Sequence, residues 1–376
     1  MFISYKINNE KHFIEFCPDG EGVEIKKKNK PYTNIANDLL KSHHSQKVLL
    51  VIDTKIEKKI IKYLIHDLKL LKNKIYILYF DGEKKNKNIK NLLKLINYFF
   101  SKKFIKKSVL ISFGGGVIGD LCGLASSLYL RGLIHMNIPT TMTAIVDSCV
   151  GGKTGINYKG AINSLGNYYH PKKIFISKNV INFIPYREYI SGLPEILKCG
   201  LIDNNHSLKL LKNSKAFLNR DFELLTKIIK ITLKTKIKFF KDDIYEQNNR
   251  LKLNFGHTFA HAIEMALAKF YKKKEIIRHG EAVGIGMLCE VYYAYGKNKE
   301  FELIKKILTL YNLPINLISL TNKTLLKKEI FKNVFLDKKR ISSYPRYIKL
   351  QKIGHTIISE MKNYNRIKKT INEVLF

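Results

Sequence analysis

Three stretches of this chain hold residues whose chemistry outweighs their packing value. In the first, Glu195 and Lys198 stand three apart, which puts both on one face of a helix. In the second, His257 and His261 stand four apart, and His279 follows at the start of His279-Gly-Glu-Ala-Val283. Imidazoles and a carboxylate are the donors a divalent zinc ion takes, commonly three from protein with a fourth position open. The pattern is not that of a metalloprotease, because Thr258 rather than glutamate follows His257. The third stretch, Ser112 to Asn163, carries Gly114, Gly115, Gly116 and Gly119, then Gly151 and Gly152. An apolar run, Val109 to Phe113, leads into the first glycines, and an apolar helical pattern begins near Asp120. A glycine turn between strand and helix lets backbone N–H groups approach a phosphate unobstructed, and the helix N-terminus adds a favourable field. Lys153 then supplies a point charge beside the second glycine pair. This is not a P-loop, since Asp147 stands where the first glycine of GxxxxGK[ST] would have to be.

Each feature also has a plainer reading when taken alone. The turn can be tight without a ligand, Glu195 and Lys198 can be a solvated pair, and a lone histidine usually sits in core or surface. Composition gives the same answer for Lys236 with Arg250 and for Lys338-Lys339 with Arg346. In a chain with 67 Lys and Arg, most cations belong to solvated surface.

The elements that must position these groups follow from periodicity. Lys47 to Asp53 reads as a buried strand ending in an acid, Ile56 to Leu71 as a helix, and Ile75 to Phe80 as a strand ending at Asp81-Gly82-Glu83. A helix over Ile89 to Phe104, the Val109 strand, the glycine turn and a further helix continue the alternation. That order predicts an α/β fold: a Rossmann-like parallel sheet with helices on both faces, and ligands at the carboxyl ends of the strands. Asp53, Asp81, Glu83 and the glycine turn all fall at those ends. Beyond Pro185 the pattern is mainly α-helical, over Leu193–Ile202, Phe222–Phe240, Thr258–Phe270, Ala282–Tyr295 and Phe301–Leu310. The expected division is therefore an α/β domain over residues 1–180 and an α-helical domain over 181–376, with short strands and turns before residue 45.

Length and charge bound the rest. The 376 residues suffice for two cores. The formal net charge of +36 would suit a polyanion, but the lysines are scattered, as in Lys26–Lys28, Lys84-Lys85 and Lys272–Lys274, and no nucleic-acid motif accompanies them. Abundant Lys, Ile and Asn with no Trp fit an A+T-rich coding sequence, so no nucleic-acid partner is expected. The field still helps attract an anionic substrate. Five cysteines lie far apart without a CxxC pair, which fits a reducing compartment. The N-terminus lacks an apolar signal region and the apolar stretches are interrupted by charge or glycine, so the expected location is cytoplasmic, with no membrane partner.

In combination the motifs resemble one family. Phe113-GGGVIGD-Leu121, Arg131-Gly132, Pro139-Thr-Thr141, Val146-DSCVGGK-Thr154, Leu193-PEIL-Lys198, Asn254-FGHTFAHAI-Glu264, His279-GEA-Val283 and Asp337-Lys-Lys339 stand in the order found in 3-dehydroquinate synthases. The similarity runs from about Asp53 to Gly354. It implies an NAD- and zinc-dependent lyase, with cobalt also admissible, acting on 3-deoxy-D-arabino-heptulosonate 7-phosphate and working as a homodimer. In that family NAD oxidises the C5 hydroxyl, phosphate leaves by β-elimination, the ketone is reduced back, and an intramolecular aldol step closes the ring.

The resemblance also implies roles. Glu195, His257 and His279 match zinc ligands. Lys153, Asn163, Asn254 and His261 match positions that hold the substrate phosphate, with Arg131 reaching in from the partner subunit. Asp147 and Lys198 match positions that bind substrate hydroxyls, Lys236 and Arg250 those that bind the carboxylate, and Lys338 or Lys339 would close over the site. Asp53, Asp81, Glu83, Gly115, Gly116, Val117, Asp120, Thr140 and Thr141, with Lys153, Ile162 and Asn163, match the cofactor side. Three positions depart from the family there: Ile162 and Asn86 replace lysines, and Phe183 replaces a threonine. The link around Lys272–Lys274 is longer than the family's.

Overall fold

The computed structural model describes residues 2–17, 46–69, 74–159, 161–204, 206–271, 275–336 and 344–376. Two compact units make up the chain, Met1–Pro185 and Tyr186–Phe376.

The first unit is built on a seven-stranded sheet, formed by β1 (Phe2–Ile7), β2 (Glu10–Cys17), β3 (Val48–Asp53), β4 (Ile75–Phe80), β5 (Val109–Gly114), β6 (Ile134–Pro139) and β9 (Lys173–Ser177). Their order is β1-β2-β9-β6-β5-β3-β4, and every pairing is parallel except β1 with β2. All six residues of β3 and of β5 are buried, as expected of central parallel strands covered on both faces. Strand periodicity then sorts the side chains. Val48, Leu50 and Ile52 pack with Ile60 and Leu64 of the Lys58–Lys69 helix, whereas Leu49 and Val51 pack with Leu95, Phe99 and Ile118 from the Ile89–Ser101 and Gly116–Leu128 helices. Each such aliphatic side chain stabilises the fold by about 1.5–3 kcal/mol on burial. A two-stranded hairpin, β7 (Lys153–Tyr158) with β8 (Ala161–Tyr168), stands outside this sheet. Sequence periodicity does not reveal it, because β8 is exposed over most of its length and has no buried face to impose alternation.

In the second unit the helices Leu193–Asp203, Phe222–Phe240, His257–Phe270, His279–Tyr295 and Lys299–Leu310 form where 3.6-residue periodicity places them. The Phe222–Phe240 helix starts at Asp221, whose carboxylate accepts the Leu224 N–H. A second hairpin, β10 (Arg346–Lys352) with β11 (His355–Glu360), was not expected in this half.

Candidate functional site

Three helix beginnings supply a group of residues that could hold a metal ion. Glu195 lies in the first turn of the Leu193–Asp203 helix, and His257 and His279 each open their own helix. Their donor atoms and a carboxylate oxygen of Glu195 lie within 4.8 Å of one another. Glu195 Oε1 is 3.7 Å from Nε2 of His257 and 3.7 Å from Nε2 of His279. The remaining ring nitrogens face outward: Nδ1 of His279 is 3.0 Å from Glu264 Oε2, and Nδ1 of His257 is 3.3 Å from the Phe255 carbonyl. Such contacts fix the ring orientation and leave each Nε2 to point inward.

Glu195 is fully buried, and neither of its oxygens accepts a hydrogen bond of proper geometry. Lys198 Nζ lies against Oε2 as an ion pair. A buried carboxylate in that condition is costly unless a cation completes it, so the set fits a divalent ion. A solvated Glu195–Lys198 pair is thereby corrected: both side chains are 1% exposed.

His261 completes an aromatic triad, its ring centroid 5.4 Å from that of His257 and 6.2 Å from that of His279. A cavity brings Asn254, His257, His261 and Arg346 together. Asn254 donates to Glu246 Oε1 at 2.7 Å and to the Leu251 carbonyl at 3.1 Å. Lys236 and Arg250, which composition assigned to solvated surface, are 6% and 3% exposed. Arg250 donates to the Ile244 carbonyl at 2.6 Å and lies over the Phe240 ring. Packing against that ring, which composition cannot register, takes it out of solvent. Lys338 and Lys339 lie outside the described residues.

Several positioning groups gave no sequence signal on their own. Glu264, seven residues after His257, shares its helix face and could have been found from that spacing. Glu281 accepts the Arg278 N–H at 2.9 Å and a two-pronged contact from Arg187, which secures the helix that His279 begins. Arg278 itself is paired with Glu188. Glu290 is wholly buried and accepts N–H groups of Thr258 and Ile348, each at 3.2 Å, so it ties the start of the His257 helix to β10. Burial pushes its carboxyl up to about 8 against those hydrogen bonds.

In the first unit, Asp53 ends β3 and accepts the Gly82 N–H at 3.2 Å, while Asp81 accepts that of Glu83 at 3.1 Å. Gly115 precedes the Gly116–Leu128 helix. Thr140 donates its N–H to the Gly114 carbonyl at 3.0 Å, and Thr141 stands beside Gly115. Gly116, with Val117 next in the same first turn, approaches Ser148 at the end of a π-helical turn, Ala144–Ser148, that carries Asp147. Burial raises the pKa of Asp120, opposed by Lys87, with Asp147 and Lys153 also acting on it. Arg131 lies away from the Gly114–Gly116 turn: it follows the far end of the helix, whose length from Gly116 to Leu128 is roughly 18 Å.

The departures acquire a physical reading. Asn86 gives its amide to the Asp81 carbonyl at 3.1 Å. The next residue, Lys87, is 8% exposed and contacts both Asp120 Oδ2 and Asn163 Oδ1, so a buried cation stands among the expected cofactor residues after all. Nothing in the sequence pattern singled out Lys87 among so many lysines. Ile162 and Phe183 are 49% and 46% exposed.

Comparisons with known proteins bear on this arrangement. The family model for the 3-dehydroquinate synthase N-terminal part matches residues 77–191, and that for the C-terminal part matches residues 192–340. A 3-dehydroquinate synthase of Campylobacter jejuni is 32% identical over 344 residues, covering 89% of this chain and 95% of that relative. One from Dictyoglomus thermophilum is 43% identical over 220 residues, 58% of this chain and 61% of the relative. Among solved structures, 2-deoxy-scyllo-inosose synthase complexed with carbaglucose-6-phosphate, NAD+ and Co2+ matches with a TM-score of 0.84 at 22% identity, both chains covered in full. Glycerol dehydrogenase from Schizosaccharomyces pombe matches at 0.65 and 16% identity, covering 91% of this chain and 86% of that one. These structures share the fold; the sequence relatives distinguish among its activities.

Proposed function

This chain belongs to the 3-dehydroquinate synthase family, and from that premise we propose that it converts 3-deoxy-D-arabino-heptulosonate 7-phosphate to 3-dehydroquinate and phosphate. The observation that carries the reading is the convergence of the buried Glu195 carboxylate with His257 and His279, their ligand atoms within 4.8 Å of one another. When bound, NAD supplies a hydride acceptor that later returns the hydride, and zinc or cobalt supplies a Lewis acid for the hydroxyl being oxidised.

The chain's own residues bind and orient. Glu195, His257 and His279 hold the ion, and the buried Lys198, pressed against Glu195, offers a cation to a substrate hydroxyl. Asn254 and His261 face the same cavity as His257 and offer donors to the phosphate; in the first unit, Lys153 and Asn163 match phosphate-holding positions of the family. The buried Lys236 and Arg250 suit the substrate carboxylate, since a buried cation is stabilised by an anionic partner. Asp147 takes a hydroxyl. Asp53, Asp81, Glu83, Gly115, Gly116, Val117, Asp120, Thr140 and Thr141 receive the dinucleotide, the glycine turn and helix start taking its pyrophosphate. Within this NAD site, Lys87 supplies a cation. The remoteness of Arg131 from the Gly114–Gly116 turn of its own chain supports a homodimer in which it serves a second copy. We place the enzyme in the cytoplasm.

The test is phosphate release from the heptulosonate phosphate by purified protein. Release should require both NAD and divalent metal and stop on chelation. No release with both present would overturn the reading.

A further inference from the structure

The backbone around Arg131 is unusual. Leu130 and Arg131 both adopt left-handed conformations, with φ of 50° and 60°. Two adjacent non-glycine residues there carry backbone strain, and persist only where the surroundings over-determine them. The restraints are identifiable. Gly132 N–H donates to the Tyr129 carbonyl at 3.0 Å, and Leu133 N–H donates to the Ser126 carbonyl at 2.9 Å. The Leu133 carbonyl in turn accepts the Tyr169 hydroxyl at 2.5 Å. That hydroxyl lies so near Gly132 that a β-carbon there would sit 3.1 Å from it.

Tyr169 has a second connection. Its N–H donates to the Gly152 carbonyl at 2.7 Å, and the preceding residue, Tyr168, pairs with Lys153 across β7 and β8. The following residue, His170, fills the space beside Gly152, where a β-carbon would meet its ring at 2.6 Å. Gly152 holds φ at 66°, so this turn too is fixed in a conformation that side-chain-bearing residues avoid. Burial pushes the Tyr169 hydroxyl up to about 12, so it remains a donor throughout the neutral range.

We propose that Tyr169 is a positioning residue for phosphate binding, coupling the strained turn that presents Arg131 to the glycine turn that presents Lys153. The proposal rests on the reading that Arg131 and Lys153 hold the substrate phosphate. Neither cation is touched by the Tyr169 hydroxyl; the effect passes through Leu133 and Gly152.

A double-mutant cycle with inorganic phosphate as probe tests this, by calorimetry on the zinc- and NAD-loaded protein. Tyr169→Phe removes only the hydroxyl and should weaken phosphate binding by about fivefold, the scale of one net hydrogen bond, with zinc content and NAD affinity held within about twofold. In an Arg131→Gln background the same substitution should have almost no further effect, because residues acting as one unit are non-additive. The proposal is overturned if Arg131→Gln weakens phosphate binding but Tyr169→Phe does not, or if the two losses simply multiply. A lowered melting temperature of Tyr169→Phe with unchanged phosphate affinity would assign the tyrosine to stability alone and equally overturn it. If Arg131→Gln leaves phosphate affinity intact, the phosphate role of Arg131 falls and the proposal with it, whereas NAD- and metal-dependent turnover remains a separate result.

Discussion

Glu195 shows how much one buried carboxylate can specify. Its oxygens lie beside two inward-facing imidazole nitrogens and one ammonium, a donor set that suits a divalent ion. Glu195→Gln should therefore reduce bound zinc to a small fraction of one equivalent without unfolding the protein, as read by metal analysis beside circular dichroism. Full metal content in the variant would remove the ligand assignment. His135 makes a different kind of prediction. Burial lowers its pKa to about 4, and its Nε2 lies 2.9 Å from Ser112 Oγ. The unfolded chain takes up a proton near pH 6.5 that the folded protein refuses until about pH 4, so this histidine's contribution is present above pH 6.5 and is lost as pH falls through that window. The loss is on the order of 3 kcal/mol. Denaturant titrations at pH 6.5 and 4.5 should show a smaller drop in His135→Gln than in the parent; equal drops would place the acid sensitivity elsewhere.

At the scale of elements, the site depends on how two helices meet. Gly256 precedes the His257 helix with φ of 85°, and a β-carbon there would lie 2.7 Å from Met287 Cγ and 2.8 Å from the Val283 carbonyl, both on the His279 helix. Gly256→Ala is expected to cost about 2 kcal/mol or more in strain and displacement and to weaken zinc binding as the two histidines move apart. Melting curves taken with and without zinc would reveal this as a reduced metal-dependent stabilisation; an unchanged zinc shift would mean the helices adjust without disturbing the ligands. The helices themselves were legible from sequence because each buries a stripe that repeats every 3.6 residues, as in the Phe222–Phe240 helix, whose observed bounds match the expected ones. The β7–β8 and β10–β11 hairpins were not, since short strands with partly exposed faces leave no clean alternation.

For the whole molecule, the net charge of +36 is the most conspicuous number and the least specific. Among the described residues no helix is long and apolar enough to cross a membrane. The proposed pairing of two copies through Arg131 predicts about twice the chain mass of 43.6 kDa by light scattering, and a monomer fully active at assay concentration would show that Arg131 need not act across subunits. The scattered cations should give only weak, salt-sensitive retention on nucleic acid.

The sequence by itself determined the α/β order and the second-half helices, and through the family resemblance it singled out Glu195, His257 and His279 as candidates, because periodicity and motif order are local or combinatorial properties that a chain displays unfolded. Only the tertiary structure decided that Lys236 and Arg250 are buried, that Lys87 reaches Asp120 and Asn163, and that Tyr169 braces two turns. Those facts depend on desolvation and on contacts between residues distant in sequence, and a lysine or tyrosine carries no mark of either until the chain has closed around it.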